Sequence, residues 1–265
     1  MAIGAGGWSL SALAISIVTF AVVMGGAFLG SFLRTALPRH HLSEESKDMV
    51  KVGIGLLVTL SALVLGLLVA SAKSSFDTKS EEIQQAASKI ILLDRNLRQF
   101  GPEADTARNL LRQAVTSKVD LTWVKSEVST APPTAPAGKP RVLVIEELQD
   151  LVRALPTADD AQRSLKTRML QLSGDLAQTR WLLIEQSGSS IPTPFLVVLV
   201  FWLAMIAASL GVFAPRNGTV LAVTLVCALS VSSAVFLILE MDRPFEGLLR
   251  ISDLPLRNAI IYLNQ

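Results

Sequence analysis

The chain has 265 residues, of which 51% are hydrophobic and only 17% are charged, and its formal net charge is +2. Soluble domains usually carry about 25% charged residues, so this composition excludes an ordinary soluble globular protein. Lysines and arginines alternate with acidic residues instead of forming a basic stripe, so no nucleic-acid partner is predicted. The single cysteine, Cys227, excludes an intrachain disulfide.

Apolar residues are concentrated in four uncharged blocks, each long enough to cross the ~30 Å hydrocarbon core of a bilayer as a helix. The predicted spans are residues 8–33, 52–72, 191–214 and 219–239. No Lys or Arg precedes the first block, and its length exceeds that of a signal-peptide core, so it is interpreted as a retained span. The predicted partner of these blocks is the lipid bilayer.

The predicted fold class is an all-α membrane protein with four transmembrane helices in two hairpins and an inserted helical soluble domain. The first hairpin comprises residues 1–72 and the second residues 191–239, with the soluble domain between them at 73–190. Residues 240–265 form a C-terminal tail. The turn formers at 215–218 predict an antiparallel arrangement of the last two spans.

The second span is predicted to continue into water, because neither Gly nor Pro occurs between Leu67 and Gln99. In this extension apolar residues recur every seven positions, with further apolar positions three residues later, which is typical of an a/d heptad seam. The seam comprises Phe76, Ile83, Ala86, Ile90, Leu93, Leu97 and Phe100. Two interpretations stay open: the seam packs inside its own domain, or it contacts another subunit.

The rest of the soluble domain is also predicted to be helical, giving a bundle of about four helices. Gly101 suits the end of one helix and Pro102 the first turn of the next. The prolines of residues 129–140 predict an exposed, polyproline-like linker. Beyond the linker two more helices follow, and Thr157 with Asp160 resembles the N-cap of the second.

Small residues follow one face of span two at Gly55, Thr59, Ala62, Gly66 and Ala70. Similar spacings occur in span one at Gly26 and Gly30, and in span three at Ala204, Ala207, Ala208 and Gly211. Such stripes allow helices to pack closely in lipid, and they also leave room in a pore wall, so both interpretations stay open. The spans have no ionisable residue at mid-membrane, which favours passive conduction over proton-coupled transport.

Two groups of polar residues were considered as metal sites. His40 and His41 precede Glu44 and Glu45, but adjacent histidines diverge and only two ligands are well spaced, whereas zinc needs three or four. Glu240, Asp242 and Glu246 are either calcium ligands or ordinary acidic residues at a membrane exit. No metal, cofactor or catalytic motif is predicted, and the chain is not expected to be an enzyme.

Several stretches of the sequence resemble the bestrophin-like family of bacterial membrane proteins, a domain of unknown function. They include LPRHHLSEESKDMVKVGIGLLVTLSALVLGLLVASAKSSFD, FLVVLVFWLAMIAASLGVFAPRNGTV and LILEMDRPFEGLLRISDLPLRNA, together with LLDRNLRQFGPEADTARNLLR. Bestrophins are pentameric anion channels with two membrane hairpins and a helical cytosolic domain. The resemblance therefore implies an ion channel whose second span lines the pore.

The positions that carry the resemblance outside the apolar blocks are His40, His41, Lys73, Asp242, Arg243, Pro244, Phe245 and Gly247. Pro244 and Phe245 look like the PFG motif that follows the last membrane helix of bestrophins, although here Glu246 separates Phe245 from Gly247. The acidic cluster that binds calcium in animal bestrophins is missing, so the resemblance does not extend to calcium gating.

The predicted location is the bacterial inner membrane. Five basic residues near span ends lie on one side and six on the other, so the positive-inside rule gives no orientation, and the resemblance favours a cytoplasmic over a periplasmic soluble domain. The leading hypothesis is a homo-oligomeric, passive channel for small monovalent ions with its pore along span two. The alternative is a non-conducting scaffold or regulator whose helical domain recruits a partner.

Overall fold

A computed structural model describes residues 12–36, 44–119, 123, 143–185, 191–215, 217–245 and 248–265, without the side chains of 44–47, 143 and 184–185. Over these residues the regular structure is entirely helical, which confirms the predicted fold class. The helices are α1 (Ala12–Ala36), α2 (Glu44–Phe100), α3 (Asp105–Val119), α4 (Leu143–Ala154), α5 (Asp160–Glu185), α6 (Thr193–Phe213), α7 (Gly218–Asp242) and α8 (Leu254–Leu263).

Four of these helices, α1, α2, α6 and α7, are long and apolar enough to cross a membrane, as predicted. Helices α1, α2 and α7 pass their predicted limits because helical structure continues into flanking polar residues, whereas α6 is shorter than the predicted 191–214. The largest difference is in α2, which begins at Glu44 instead of residue 52 and continues without a break to Phe100. The predicted start of span one, at residues 8–11, lies outside the described residues.

The chain divides into two compact units. The membrane unit comprises residues 1–75 and 189–243, and the soluble unit comprises residues 76–188 and 244–265. Residues 244–265, predicted only as part of a tail, therefore belong to the soluble unit. There α8 buries Leu256, Ala259 and Leu263 in the same apolar core as α2 and α3, so the tail is a structural element of that unit.

In the soluble unit the heptad seam of α2 forms one wall of the core. Ile83, Ile90, Leu93, Leu97 and Phe100 are all buried against residues from the other helices of the unit. The seam therefore packs inside its own domain, which confirms the first of the two interpretations. Hydrophobic burial of this kind, at about 25 cal/mol per Å² of apolar surface, is the main stabilising contribution to the unit.

Two connections between helices were predicted from turn and capping residues. The prediction at Gly101 is confirmed, and the prediction of the N-cap of α5 is not. Gly101 has φ +119°, a conformation that favours glycine, and it separates α2 from the 3-10 turn at Pro102–Ala104. The predicted N-cap of α5 at Thr157 is wrong. The capping residue is Asp159, whose carboxylate accepts the Gln162 N–H at 2.7 Å, while Gln162 Oε1 accepts the Ala158 N–H at 2.7 Å.

Candidate functional site on the second helix

Within the membrane unit, one side of α2 packs against the other helices. Leu68 and Ala72 are buried in an apolar cluster that also contains Leu199 of α6 and Ile238 of α7. Ser61, two turns before Leu68, is buried on the same side. This side anchors α2 to its own chain.

The small-residue stripe lies on a different side of α2. At 100° per residue its five members point about 140° away from the buried side. Gly55, Thr59, Ala62, Gly66 and Ala70 are all exposed. A Cβ built on Gly55 or Gly66 would meet no atom of the chain within 4 Å. The described helices therefore leave the stripe uncovered.

Gly26 and Gly30 of α1 and Gly211 of α6 are in the opposite situation. A Cβ on Gly26 would lie 2.6 Å from the Ala204 carbonyl oxygen, and a Cβ on Gly30 would overlap the Ala208 carbonyl oxygen. On α6, a Cβ on Gly211 would overlap the Ala27 carbonyl oxygen. Here the small residues serve close backbone approach, which is how helices associate where lipid provides no hydrophobic drive.

The uncovered face of α2 is polar only to a small extent. The Thr59 hydroxyl donates to the Gly55 carbonyl oxygen of its own helix at 2.9 Å, so it needs no other partner. Lys73, three residues after Ala70, is exposed on nearly the same line of the helix. The face therefore combines small side chains over the span with a cation at one end.

The motif residues after α7 lie in different environments. Asp242 and Glu240 are buried at the end of the helix, and the Arg243 N–H donates to the Glu240 carbonyl oxygen at 3.2 Å. His40, His41, Glu246 and Gly247 lie outside the described residues. Among the residues that the structure describes, no three His, Cys, Asp or Glu side chains are grouped so that they could hold a metal.

Pro244 and Phe245 belong to a small structure in the soluble unit that the sequence analysis missed. The Ile251 N–H donates to the Pro244 carbonyl oxygen at 2.9 Å and closes the segment between them. Trp123 holds this segment: its Nε1–H donates to the Ile251 carbonyl oxygen at 2.9 Å, and its ring meets Phe245 edge-to-face at 6.0 Å. No local sequence pattern links residues 128 positions apart, so this contact could not be predicted from the sequence.

Comparison with known proteins supports the resemblance seen in the sequence. The profile of the family described as Bestrophin-like domain matches residues 20–256. Crystal structures of mutant forms of a bacterial bestrophin homolog from Klebsiella pneumoniae have the same fold. One matches with a TM-score of 0.65 and 15% identity, over 97% of this chain and 100% of its own.

A second mutant form of the Klebsiella pneumoniae homolog matches with a TM-score of 0.63 and 12% identity, over 92% of this chain and 97% of its own. No curated protein sequence matches the chain. Sequence identities this low show only that the folds are alike. Membership of a family is shown by the family profile, which matches most of the sequence. The chain belongs to the bestrophin-like family.

Proposed function

We propose that this protein is a passive, ion-conducting homo-oligomer in which copies of α2 surround the pore. The observation that carries the proposal is the uncovered small-residue stripe from Gly55 to Ala70 on a helix whose other side is anchored to the chain. Membership of the bestrophin-like family supports the same function, because bestrophins are anion channels. The soluble helices form a vestibule for the permeating ion.

A single chain has too few helices around α2 to enclose a path for ions. Only 11% of the most apolar part of α2 is buried by its own chain. A ring of several copies brings the stripes together around an axis, and their small side chains leave space there. Backbone dipoles and apolar constrictions then suffice for conduction without a charged residue in the span.

We place the protein in the bacterial inner membrane with the soluble unit in the cytosol. The orientation follows bestrophins, whose helical domain is cytosolic, since the basic residues flanking the spans are evenly distributed. A reporter that is active only in the cytosol, fused after Gln265, tests this placement. Activity of a periplasm-specific reporter at the same position would instead place the soluble unit in the periplasm.

The conduction test uses purified protein in liposomes, with chloride as the permeating ion. We expect wild-type protein to release a chloride gradient, and we expect Gly66→Leu to abolish most of that flux because the leucine side chain fills the axial space. The matched control is Gly53→Leu. Gly53 also has open space around it, but it lies on another side of α2.

The two substitutions separate a pore wall from an inert surface. Equal chloride flux in Gly66→Leu and Gly53→Leu would show that the stripe does not line the pore. Liposomes that stay tight to chloride and to monovalent cations at high protein load would overturn conduction altogether and favour the scaffold hypothesis. Native mass spectrometry gives the subunit count, and a strictly monomeric protein in mild detergent contradicts the ring.

A further inference from the structure

A groove in the soluble unit is distinct from the proposed pore. It lies between the last turns of α2 and the C-terminal part of α8, and its volume of about 480 Å³ is in the range of small-molecule sites. Its polar lining is contributed by Asp94, Arg95, Arg98, Gln99, Tyr262 and Gln265. Most of these groups are hydrogen-bond donors, so the groove is suited to an acceptor-rich ligand.

The only acidic side chain that lines the groove is already engaged. Asp94 is buried, and its carboxylate accepts Arg108 Nε at 2.7 Å and Arg98 at 3.3 Å. Arg108 also donates to the Leu263 carbonyl oxygen at 3.3 Å, which fixes the end of α8 beside α2. Two guanidinium groups thus engage one carboxylate, and Arg95 adds a third positive charge to the lining, so the side chains at this place carry an excess of positive charge.

Arg95 contributes most directly to that excess. It is exposed and lines the groove, and among the described residues no side chain pairs with its guanidinium. Arg95 and Arg98 are three residues apart, so both project from neighbouring positions on one face of α2. The exposed Arg153 differs, because it pairs with Asp150, three residues earlier on its own helix.

The groove also offers an apolar surface beside the two arginines. Tyr262 is 55% exposed although its neighbour in the sequence, Leu263, is buried in the core. Ile91 lies one helical turn before Arg95 and lines the same groove. An aromatic ring and an aliphatic side chain next to two guanidiniums match a molecule with a phosphate at one end and a flat apolar group at the other.

We propose that this groove binds a small organic phosphate, with its phosphate on Arg95 and Arg98 and its apolar part against Tyr262 and Ile91. Guanidinium groups form paired, charge-assisted hydrogen bonds with phosphate oxygens. The site does not depend on conduction, because it uses none of the residues of the stripe. Its ligand occupies the soluble unit, so binding and flux are measured separately.

The test is calorimetric titration of the full chain in phosphatidylcholine nanodiscs with AMP as the probe. Adenosine and inorganic phosphate, titrated in parallel, report the two halves of the proposed ligand. We expect AMP to bind more tightly than either. We expect Arg95→Gln to weaken AMP binding by about tenfold or more, since a hydrogen bond to a charged group contributes about 1.5–3 kcal/mol.

Arg168→Gln is the matched control, because Arg168 is also exposed on a helix of the soluble unit and lies outside the groove. No described side chain pairs with the Arg95 guanidinium, so Arg95→Gln is expected to unfold at the wild-type temperature. Equal AMP affinity in wild type and Arg95→Gln would overturn the proposal. AMP binding no tighter than adenosine or phosphate would overturn it as well.

A lipid headgroup carries phosphate too, and the titration distinguishes this source. Dihexanoyl phosphatidylglycerol, used below its micelle concentration, is added as a competitor to the AMP titration. We expect it to compete only weakly, because its phosphodiester carries one negative charge and it has no flat group for Tyr262. Competition stronger than that of AMP itself would identify a lipid site and overturn the assignment to a soluble organic phosphate.

Discussion

The membrane unit and the soluble unit of this chain are stabilised by different contacts. In the membrane unit α1 and α6 approach through Gly26, Gly30 and Gly211, and large side chains face outward. In the soluble unit a wide apolar core is surrounded by specific polar contacts, such as Lys166 donating to the Arg153 and Leu155 carbonyl oxygens at 2.6 and 2.7 Å. The membrane unit is stabilised by close approach of helix backbones, which requires small residues. The soluble unit is stabilised by burial of a large apolar surface.

Helix α2 shows both situations along one continuous element. In its soluble part Leu93 and Leu97 are almost completely buried. In its span Val52, Leu56 and Leu63 are at least 62% exposed, and the stripe lies open beside them. The helix is therefore fixed to the chain by its second half, while most of its first half is left for lipid or for other copies of the protein.

The largest effect is expected from filling the contact between α1 and α6. Gly30→Leu places a side chain where the Ala208 carbonyl oxygen lies, so the two backbones must separate. Overpacking costs about 1–3 kcal/mol even where neighbours can shift, and a backbone neighbour shifts less readily. We expect loss of folded protein, measured as the monodisperse fraction after detergent extraction and its thermal unfolding.

The control for this substitution is Gly25→Leu, five residues earlier on α1. Gly25 is exposed and has no atom within 4 Å of its Cβ position. We expect this variant to extract and unfold as wild type does. If Gly30→Leu behaves in the same way, the close contact of α1 and α6 does not stabilise the membrane unit.

A smaller loss of stability is expected from the buried carboxylate of the soluble unit. The Asp94 side chain is 5% exposed and its nearest partner, Arg108, is 17% exposed, so solvent screens this pair only in part. Asp94→Asn removes the charge and leaves Arg108 without a counter-ion, which we expect to cost about 2–3 kcal/mol. Thermal unfolding of the full chain measures the difference.

Asp150→Asn is the comparison for that measurement. Asp150 pairs with Arg153 at 2.9 Å, but both side chains are more than 60% exposed, and exposed pairs of this kind contribute about 0–1 kcal/mol. We expect its unfolding temperature to stay near that of wild type. Equal shifts in the two variants would mean that burial does not strengthen the Asp94 interaction.

The spans and the heptad seam could be predicted because each depends on a repeating pattern within one segment. The contacts of Asp94 could not, because Arg108 lies 14 residues away across the turn at Gly101. Helix α8 has only ten residues, too few for its periodicity to indicate that it belongs to the core.

The sequence does not predict which small residues contact another helix of the chain. Gly26 and Gly30 have the same spacing as many transmembrane contacts, and they do pack closely against α6. Gly66 belongs to a similar stripe, yet no atom of the described residues lies within 4 Å of its Cβ position. Spacing alone describes which residues share a face, whereas the neighbour of that face depends on the whole arrangement of helices.

The smallest effect is expected from removing one hydrogen bond, the one between Trp123 and the segment after α7. Trp123→Phe keeps an aromatic ring beside Phe245 but removes the donor to the Ile251 carbonyl oxygen, which is buried. We expect a loss of about 1–2 kcal/mol in thermal unfolding, as for a buried acceptor left unpaired. Trp181→Phe, at a 53% exposed tryptophan, is the control and should change little. An unchanged unfolding temperature in Trp123→Phe would show that this bond does not stabilise the unit.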